Sequence, residues 1–138
     1  MKTVVMVNKQ VGEVASLKQY FLDKEVDVTY VEYSGDLKEY KKLAEKITSK
    51  EFDKGVIVTN NGVGAFLTAT KVQSSIAAPV LDEYTAKWSV THNNAQIAIL
   101  PLSIISEDYA IKLVDIFLNT NFEGGRHAAR VNMMDKLY

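Results

Sequence analysis

The sequence has 138 residues and 47% hydrophobic content, which is enough for one domain with its own core and too little for two domains of ordinary size. A formal net charge of -1 gives no general electrostatic reason to bind nucleic acid or an anionic membrane, so any anion site must be local. The absence of cysteine excludes disulfides, thiolate metal sites and a cysteine nucleophile from this sequence.

The first half of the chain predicts alternating strands and helices. Residues 3–7 are short, β-branched and apolar, as in a strand buried on both faces, and they are too few for a signal peptide or a membrane span, so a cytoplasmic protein is expected. The pattern then predicts a helix over residues 11–23, a strand over 26–32 and, after a turn at 34–36, a second helix. That second helix is marked by the apolar residues Leu37, Tyr40, Leu43, Ala44 and Ile47.

The second half continues the alternation. Strands are predicted over residues 55–58, 77–81 and 97–100, and helices over 65–71 and 83–90. A further helix is capped by Ser106, with a buried stripe formed by Ile111, Val114, Phe117 and Leu118. Five strands alternating with helices predict a three-layer, Rossmann-like α/β fold, an open sheet of five parallel strands with helices on both faces.

Ligands of such sheets bind beyond the carboxyl ends of the strands, where the strand order reverses. On this basis we expect Asn8 and Lys9, the loop at 59–64 and the segment at 91–94 to share one edge of the sheet. Lys9 is a candidate for holding a phosphate or a hydroxyl, and a surface lysine at the start of a loop is the alternative.

The segment at 121–130 is the most informative part of the chain. If a helix begins after Gly125, Arg126 and Arg130 project from one face of it, with His127 beside them. Two guanidiniums and an imidazole at a helix N-terminus suit a small dianion such as a phosphate monoester. The alternative is a solvated basic helix face.

The loop at 59–64 carries two glycines, Gly62 and Gly64, which let the backbone turn tightly and approach a ligand. The loop lacks the third glycine of the dinucleotide motif and the Gly-Lys-Ser/Thr of the phosphate-binding loop, so neither nucleotide cofactor is predicted. An ordinary strand-to-helix turn is the alternative.

The segment at 91–94 contains a histidine and two amides at the predicted end of the fourth helix. A neutral imidazole at His92 can move protons near pH 7, and the amide of Asn93 can bind sugar hydroxyls. Alternatively, His92 interacts only with the helix dipole and Asn93 takes a left-handed cap.

Together these stretches resemble a known family. The glycine turn, His92-Asn93-Asn94-Ala95 and the segment at 122–131 occur in the same order and at similar separations in the ribose-5-phosphate isomerase type B and galactose-6-phosphate isomerase family. The resemblance runs essentially end to end. Residues 62–66, 69–71 and 131–136 are most similar to the A-subunit branch, that of galactose-6-phosphate isomerase.

The resemblance implies an aldose–ketose isomerisation of a sugar phosphate through a cis-enediolate, with no metal and no organic cofactor. It implies sites between two subunits, with the base and the glycine loop from one chain and two arginines from the other. His92 would open the sugar ring and Asn93 would bind a hydroxyl. Arg126, His127 and Arg130 would hold the phosphate.

The chain departs from the family where the base is expected. Thr59 stands at the position of the catalytic cysteine, Ala65 at that of the glutamate found in some members, and Asn8-Lys9 at that of an Asp-His pair. Neither threonine nor alanine is a competent base. We therefore expect a hetero-oligomeric galactose-6-phosphate isomerase in which a cysteine-bearing B-type subunit supplies the base.

Two other functions remain open. The chain would be a self-sufficient isomerase of the ribose-5-phosphate isomerase B type if Asp82 or Glu83 served as the base, and it would then turn over substrate as a homodimer. It would be a sugar-phosphate-binding protein if it kept the phosphate grip without the chemistry.

The C-terminal segment bears on assembly. It carries an apolar run on a segment too short to bury itself, made up of Val131, Met133, Met134, Leu137 and Tyr138. Docking of this arm or helix on a neighbouring subunit would cover the run, so a dimer or tetramer is expected, homomeric in the absence of another subunit. Packing back on its own domain is the alternative.

Overall fold

Five short strands form one parallel sheet in the computed structural model, which describes residues 1–24 and 27–137. The strands are β1 Lys2–Asn8, β2 Asp27–Tyr33, β3 Lys54–Thr59, β4 Ala77–Pro79 and β5 Ile97–Pro101. Their order in the sheet is β2-β1-β3-β5-β4, and every neighbouring pair is parallel. The predicted sheet is confirmed, while Val26, the predicted first residue of the second strand, lies outside the described residues.

Six α-helices connect or follow the strands within the described residues. They are α1 Ala15–Leu22, α2 Leu37–Thr48, α3 Val63–Ala69, α4 Glu83–Thr91, α5 Glu107–Asn119 and α6 Arg126–Asp135. The side chains of Asp36, Asp82 and Ser106 cap α2, α4 and α5, because each accepts a hydrogen bond from a backbone N–H of the first turn. Across this described part of the chain, no helix combines the length and the apolar character needed to cross a bilayer.

The first helix begins later than predicted. Residues Lys9–Val11 form a single 3₁₀ turn, because the Asn8 side chain accepts a hydrogen bond of 2.8 Å from the Gln10 N–H. Gly12 then adopts φ +80°, a left-handed conformation that interrupts the helix before Ala15.

The sheet is covered on both faces, so its strands bury both sets of alternating side chains. On one face Val5, Val56 and Leu100 pack with residues of α1, α4 and α5. On the other face Ile57 and Ile99 pack with residues of α2 and α3. The predicted three-layer arrangement is therefore confirmed.

The strand order reverses between β1 and β3, although all the strands run in the same direction. From β1 the chain goes to β2 on one side, and it then crosses to β3, β5 and β4 on the other side. Asn8 and Thr59, the last residues of β1 and β3, therefore lie at the carboxyl edge beside this switch point.

Candidate functional site

The two histidines of the sequence lie together where α4 ends and α6 begins. The rings of His92 and His127 stack with their centroids 4.4 Å apart and their planes within 10° of parallel. The Glu123 N–H donates to the carbonyl of Thr91 at 3.2 Å, which ties the segment before α6 to the end of α4. We call His92, Glu123, Arg126, His127 and Arg130 the histidine–arginine cluster.

Two glycines set the start of α6. Gly124 and Gly125 adopt φ +71° and +56°, and a Cβ at either position would have open space around it. This backbone turns the chain sharply enough for α6 to begin at Arg126, as predicted. Arg126 and Arg130 are exposed, and neither has an ion-pair partner among the described residues.

His127 is nearly enclosed, with 9% of the residue's surface exposed. Burial lowers the pKa of His127, and the positive charges of His92, Arg126 and Arg130 lower it further, while Glu123 acts in the opposite direction. The neutral imidazole is therefore favoured, with the Glu123 carboxylate 3.8 Å from its Nε2. An anionic ligand beside the two arginines would be well placed to receive a hydrogen bond here.

His92 also has an aromatic neighbour that sequence reasoning missed. Trp88 stacks on His92 with centroids 5.8 Å apart and planes within 9°, and Tyr84 contacts Trp88 at 5.1 Å. The three residues lie four residues apart along α4, a spacing from which the sequence alone could have predicted that they share one face of the helix. His92 is therefore held between Trp88 and His127.

Asn93 is exposed beside His92. His92 itself is the C-cap of α4 with helical φ and ψ, and the left-handed residue is Asn94, with φ +55°. The alternative in which Asn93 takes the left-handed cap is therefore wrong, and that role belongs to Asn94.

The segment at 91–94 does not share an edge with the glycine loop, contrary to the sequence-based prediction. A helix that joins two parallel strands must return from the carboxyl edge to the amino edge, and α4 does so between β4 and β5. Accordingly, Lys54 at the start of β3 donates from Nζ to the Ala95 carbonyl at 2.8 Å. The histidine–arginine cluster therefore lies at the amino edge of the sheet.

The carboxyl edge beside the switch point holds a buried, neutral hydrogen-bonded group. The Tyr33 hydroxyl donates to the Tyr40 hydroxyl at 2.6 Å, and Thr59 and Asn8 also hydrogen-bond to the Tyr33 side chain. Burial raises the pKa of Tyr33 well above its usual range, and the hydrogen bonds from Thr59 and Asn8 offset only part of that rise. Asn8 and Thr59 thus belong to a hydrogen-bonded network of uncharged side chains around the Tyr33 hydroxyl.

The two loop glycines have different structural roles. Gly62 has φ +80° and is the N-cap of α3, and a Cβ there would lie 2.9 Å from Ile99 Cγ2. Gly64 lies inside α3, where a Cβ would make an ordinary 3.4 Å contact with Leu37 Cδ2. The need for a tight glycine turn is therefore confirmed for Gly62 and is wrong for Gly64.

The loop also has less free hydrogen-bonding capacity than expected. The Asn61 side chain accepts a hydrogen bond of 2.9 Å from the Val63 N–H, which would otherwise point outward from the start of α3. Beside it lies a pocket of about 250 Å³ whose lining includes Phe66, Pro79 and Ile104. This apolar lining does not suit a phosphate.

The remaining predicted site residues have separate positions. Lys9 is exposed beside a cleft of about 270 Å³ between β1, β2 and α1. The Asp82 carboxylate accepts from the Thr85 N–H at 2.7 Å, and Glu83 pairs with Lys112 at 2.7 Å. Both carboxylates therefore have structural partners.

Three members of the histidine–arginine cluster offer metal-ligating atoms. Ligand atoms of His92, Glu123 and His127 all lie within 4.8 Å of one another. Sequence reasoning predicted no metal and did not single out Glu123, because the path of the chain between α5 and α6 determines where that carboxylate lies.

Comparison with known proteins places most of the chain in one family. The model of the ribose/galactose isomerase family matches residues 5–134. The galactose-6-phosphate isomerase subunit LacA of Staphylococcus epidermidis is 32% identical over 124 residues, which cover 88% of this chain and 87% of that protein. LacA of Streptococcus agalactiae is 38% identical over 95 residues, or 69% and 67% of the two chains.

Solved structures with the same fold cover nearly the whole chain. A ribose 5-phosphate isomerase of Thermotoga maritima superposes with a TM-score of 0.87 at 31% identity, covering 99% of both chains. Ribose-5-phosphate isomerase B of Clostridium thermocellum gives a TM-score of 0.90 at 28% identity, covering 99% of this chain and 97% of that one.

Proposed function

The chain belongs to the ribose/galactose isomerase family, and from that premise we propose that it is one subunit of a heteromeric galactose-6-phosphate isomerase. Family membership makes it a sugar-phosphate isomerase. We propose further that this chain, as one domain over residues 1–138, supplies the phosphate-binding arginines and the ring-opening histidine. A cysteine-bearing subunit resembling LacB supplies the base.

The observation that carries the proposal is the separation of two chemically different edges. The amino edge has two exposed arginines, without ion-pair partners among the described residues, beside a stacked histidine pair. The carboxyl edge has Thr59 and Asn8 in a neutral network with no carboxylate or thiol. Thr59 and Asn8 therefore offer a substrate no base to remove a proton from carbon, and in the proposal a second subunit brings that base.

The proposed reaction moves a proton between C1 and C2 of the sugar through an enediolate, and C1 is oxidised or reduced at the expense of C2. Arg126 and Arg130 hold the phosphate through forked N–H donors, and His127 adds a third donor. The phosphate end of the substrate is thereby fixed, so that the reacting carbons lie in the partner's half of the site.

Ring opening precedes that step, because only the open-chain sugar has a carbonyl at C1. In the proposal, the His92 imidazole takes the proton of the anomeric hydroxyl and returns one to the ring oxygen. The stacked rings of Trp88 and His127 fix the plane of His92. The exposed amide of Asn93 binds a neighbouring hydroxyl.

The C-terminal helix supports assembly only in part. Val131 is buried against its own chain, whereas Met133, Met134 and Leu137 are exposed, and Tyr138 lies outside the described residues. We propose that the exposed residues of this arm dock on a neighbouring subunit.

The proposal also places the enzyme in the cytoplasm, where a charged sugar phosphate that cannot cross a bilayer unaided would be retained.

The test is isomerase turnover by the purified chain alone and after addition of a cysteine-bearing subunit of the family. Activity only in the mixture is the expected result. In that mixture, Arg126→Ala or Arg130→Ala is expected to weaken substrate binding by about 1.5 to 3 kcal/mol, the scale of a charge-assisted hydrogen bond. Lys41→Ala removes an exposed charge from α2 and is the matched control.

Turnover by the chain alone would contradict partner dependence and favour a self-sufficient isomerase like the ribose 5-phosphate isomerases that share its fold. If the chain binds sugar phosphates tightly but no mixture shows turnover, the chain is a sugar-phosphate-binding protein and not an isomerase subunit. Unchanged affinity in both arginine variants would exclude the proposed grip.

A further inference from the structure

We propose that His92, Glu123 and His127 form a binding site for one divalent transition-metal ion such as Zn²⁺. The two side chains best suited to such an ion are the only histidines in the sequence, which has no cysteine. Both converge on this cluster together with one carboxylate. Two imidazoles and a carboxylate are a ligand set that Zn²⁺, Co²⁺ and Cu²⁺ accept, with a fourth position left for water or an anion.

The distances are close to those that an ion requires. The ligand atoms lie within 4.8 Å of one another, and Glu123 Oε2 is 3.8 Å from His127 Nε2. Ligands of a tetrahedral ion are about 3.3 Å apart when the metal–nitrogen bonds are about 2.0 to 2.1 Å. The three groups must therefore approach by up to about 1.5 Å and turn until their lone pairs meet.

The local structure permits that movement. Glu123 is exposed and is followed by Gly124 and Gly125, where a Cβ added to either glycine would meet no atom within 4 Å. The parallel rings of His92 and His127 do not aim at one point, so the less buried ring of His92 must turn out of its stack. The ring torsion of histidine is broad, so the cost of this turn is the lost stacking contact. His127 is nearly buried, so one ligand is already held in place.

The positive charges near the site do not prevent a cation from binding. The ion carries two positive charges beside Arg126 and Arg130, but both guanidiniums are exposed and can turn toward solvent. Glu123 supplies one negative charge, and an anion in the fourth position would be stabilised by the same arginines. The alternative is that the two rings stack only as an extension of the Tyr84–Trp88 column.

Metal binding does not depend on the proposed function, because it needs neither sugar nor partner. Only the effect of metal binding on catalysis rests on that function. A metal ion bound to both imidazoles would prevent His92 from opening the sugar ring and His127 from binding the phosphate. Transition metals would then inhibit the isomerase reversibly.

The experiment is titration of the purified full chain with Co²⁺ in phosphate-free buffer, followed by its visible absorption, with Zn²⁺ as competitor. One equivalent is expected to bind. Glu123→Gln and His127→Gln are each expected to weaken binding by about ten- to a hundred-fold or more. Glu83→Gln, which changes a carboxylate on α4 that pairs with Lys112, is the matched control and should bind as the parent chain does.

Absence of a saturable Co²⁺ spectrum would overturn the proposal, and so would unchanged affinity in Glu123→Gln, an exposed position whose substitution leaves the core intact. Arg130→Ala separates this site from the proposed isomerase. It should weaken sugar-phosphate binding and leave Co²⁺ affinity unweakened, because a guanidinium is not a metal ligand. A weaker Co²⁺ site in Arg130→Ala would count against the assigned ligands.

Discussion

Replacing Gly62 with alanine tests the structural role assigned to the glycine loop. The φ of +80° disfavours any residue with a Cβ by about 1 to 2 kcal/mol. The new methyl would also lie 2.9 Å from Ile99 Cγ2 in the core, and overpacking of this kind costs about 1 to 3 kcal/mol. Gly62→Ala is therefore expected to lower the free energy of unfolding by about 2 to 5 kcal/mol.

Gly64→Ala is the matched control for that substitution. Gly64 has an ordinary helical backbone and a Cβ there would make a 3.4 Å contact, so alanine is expected to be neutral or to stabilise α3 by up to about 1 kcal/mol. Urea unfolding followed by far-ultraviolet circular dichroism measures both variants. Equal stabilities for the two variants, or a larger loss in Gly64→Ala, would refute the distinction drawn between a turn glycine and a helix glycine.

Two further predictions concern charge and capping. Burial lowers the pKa of Lys54 to about 8, below the value of about 10.4 expected in the unfolded chain. Between about pH 7 and pH 9 the unfolded state therefore binds more protons at this lysine than the folded state does. The free energy of unfolding should rise by about 1.3 kcal/mol over that pH range. Urea unfolding should find this rise in the parent chain and not in Lys54→Met. Asp82→Ala should lower the free energy of unfolding by about 1 kcal/mol, measured by thermal unfolding, because α4 loses its capping side chain. Asp82→Asn keeps a side-chain acceptor and should lose less. An equal loss in both variants would argue against a capping role.

Most of the fold could be predicted because its signals are local. The apolar run at β1 indicated a strand buried on both faces, the runs at 55–58 and 97–100 indicated strands, and Ser106 marked a helix start that the structure confirms. The start of α1 was missed because it depends on a hydrogen bond from the Gln10 N–H to the Asn8 side chain. Hydrophobic periodicity does not report that bond.

The composition of the amino-edge cluster was predicted better than its position. His92, Arg126, His127 and Arg130 were all chosen from residue type and spacing, and the structure brings the two histidines into contact. The edge was wrong because the residues were grouped by chemistry without following the direction of each helix. Trp88 was missed although it lies one helical turn before His92.

The positions of the two edges bear on how many sites an assembly would contain. If the arginines of one subunit close on the carboxyl edge of another, two-fold symmetry makes the reverse pairing as well, so a dimer has two such junctions. In a homodimer of this chain, both junctions would join an arginine grip to the neutral network of Asn8, Tyr33 and Thr59. With a cysteine-bearing partner, only the junction that joins this chain's arginines to the partner's base would be complete. In such a hetero-oligomer the carboxyl edge of this chain would need no catalytic group, in agreement with the buried network of Asn8, Tyr33 and Thr59 found there.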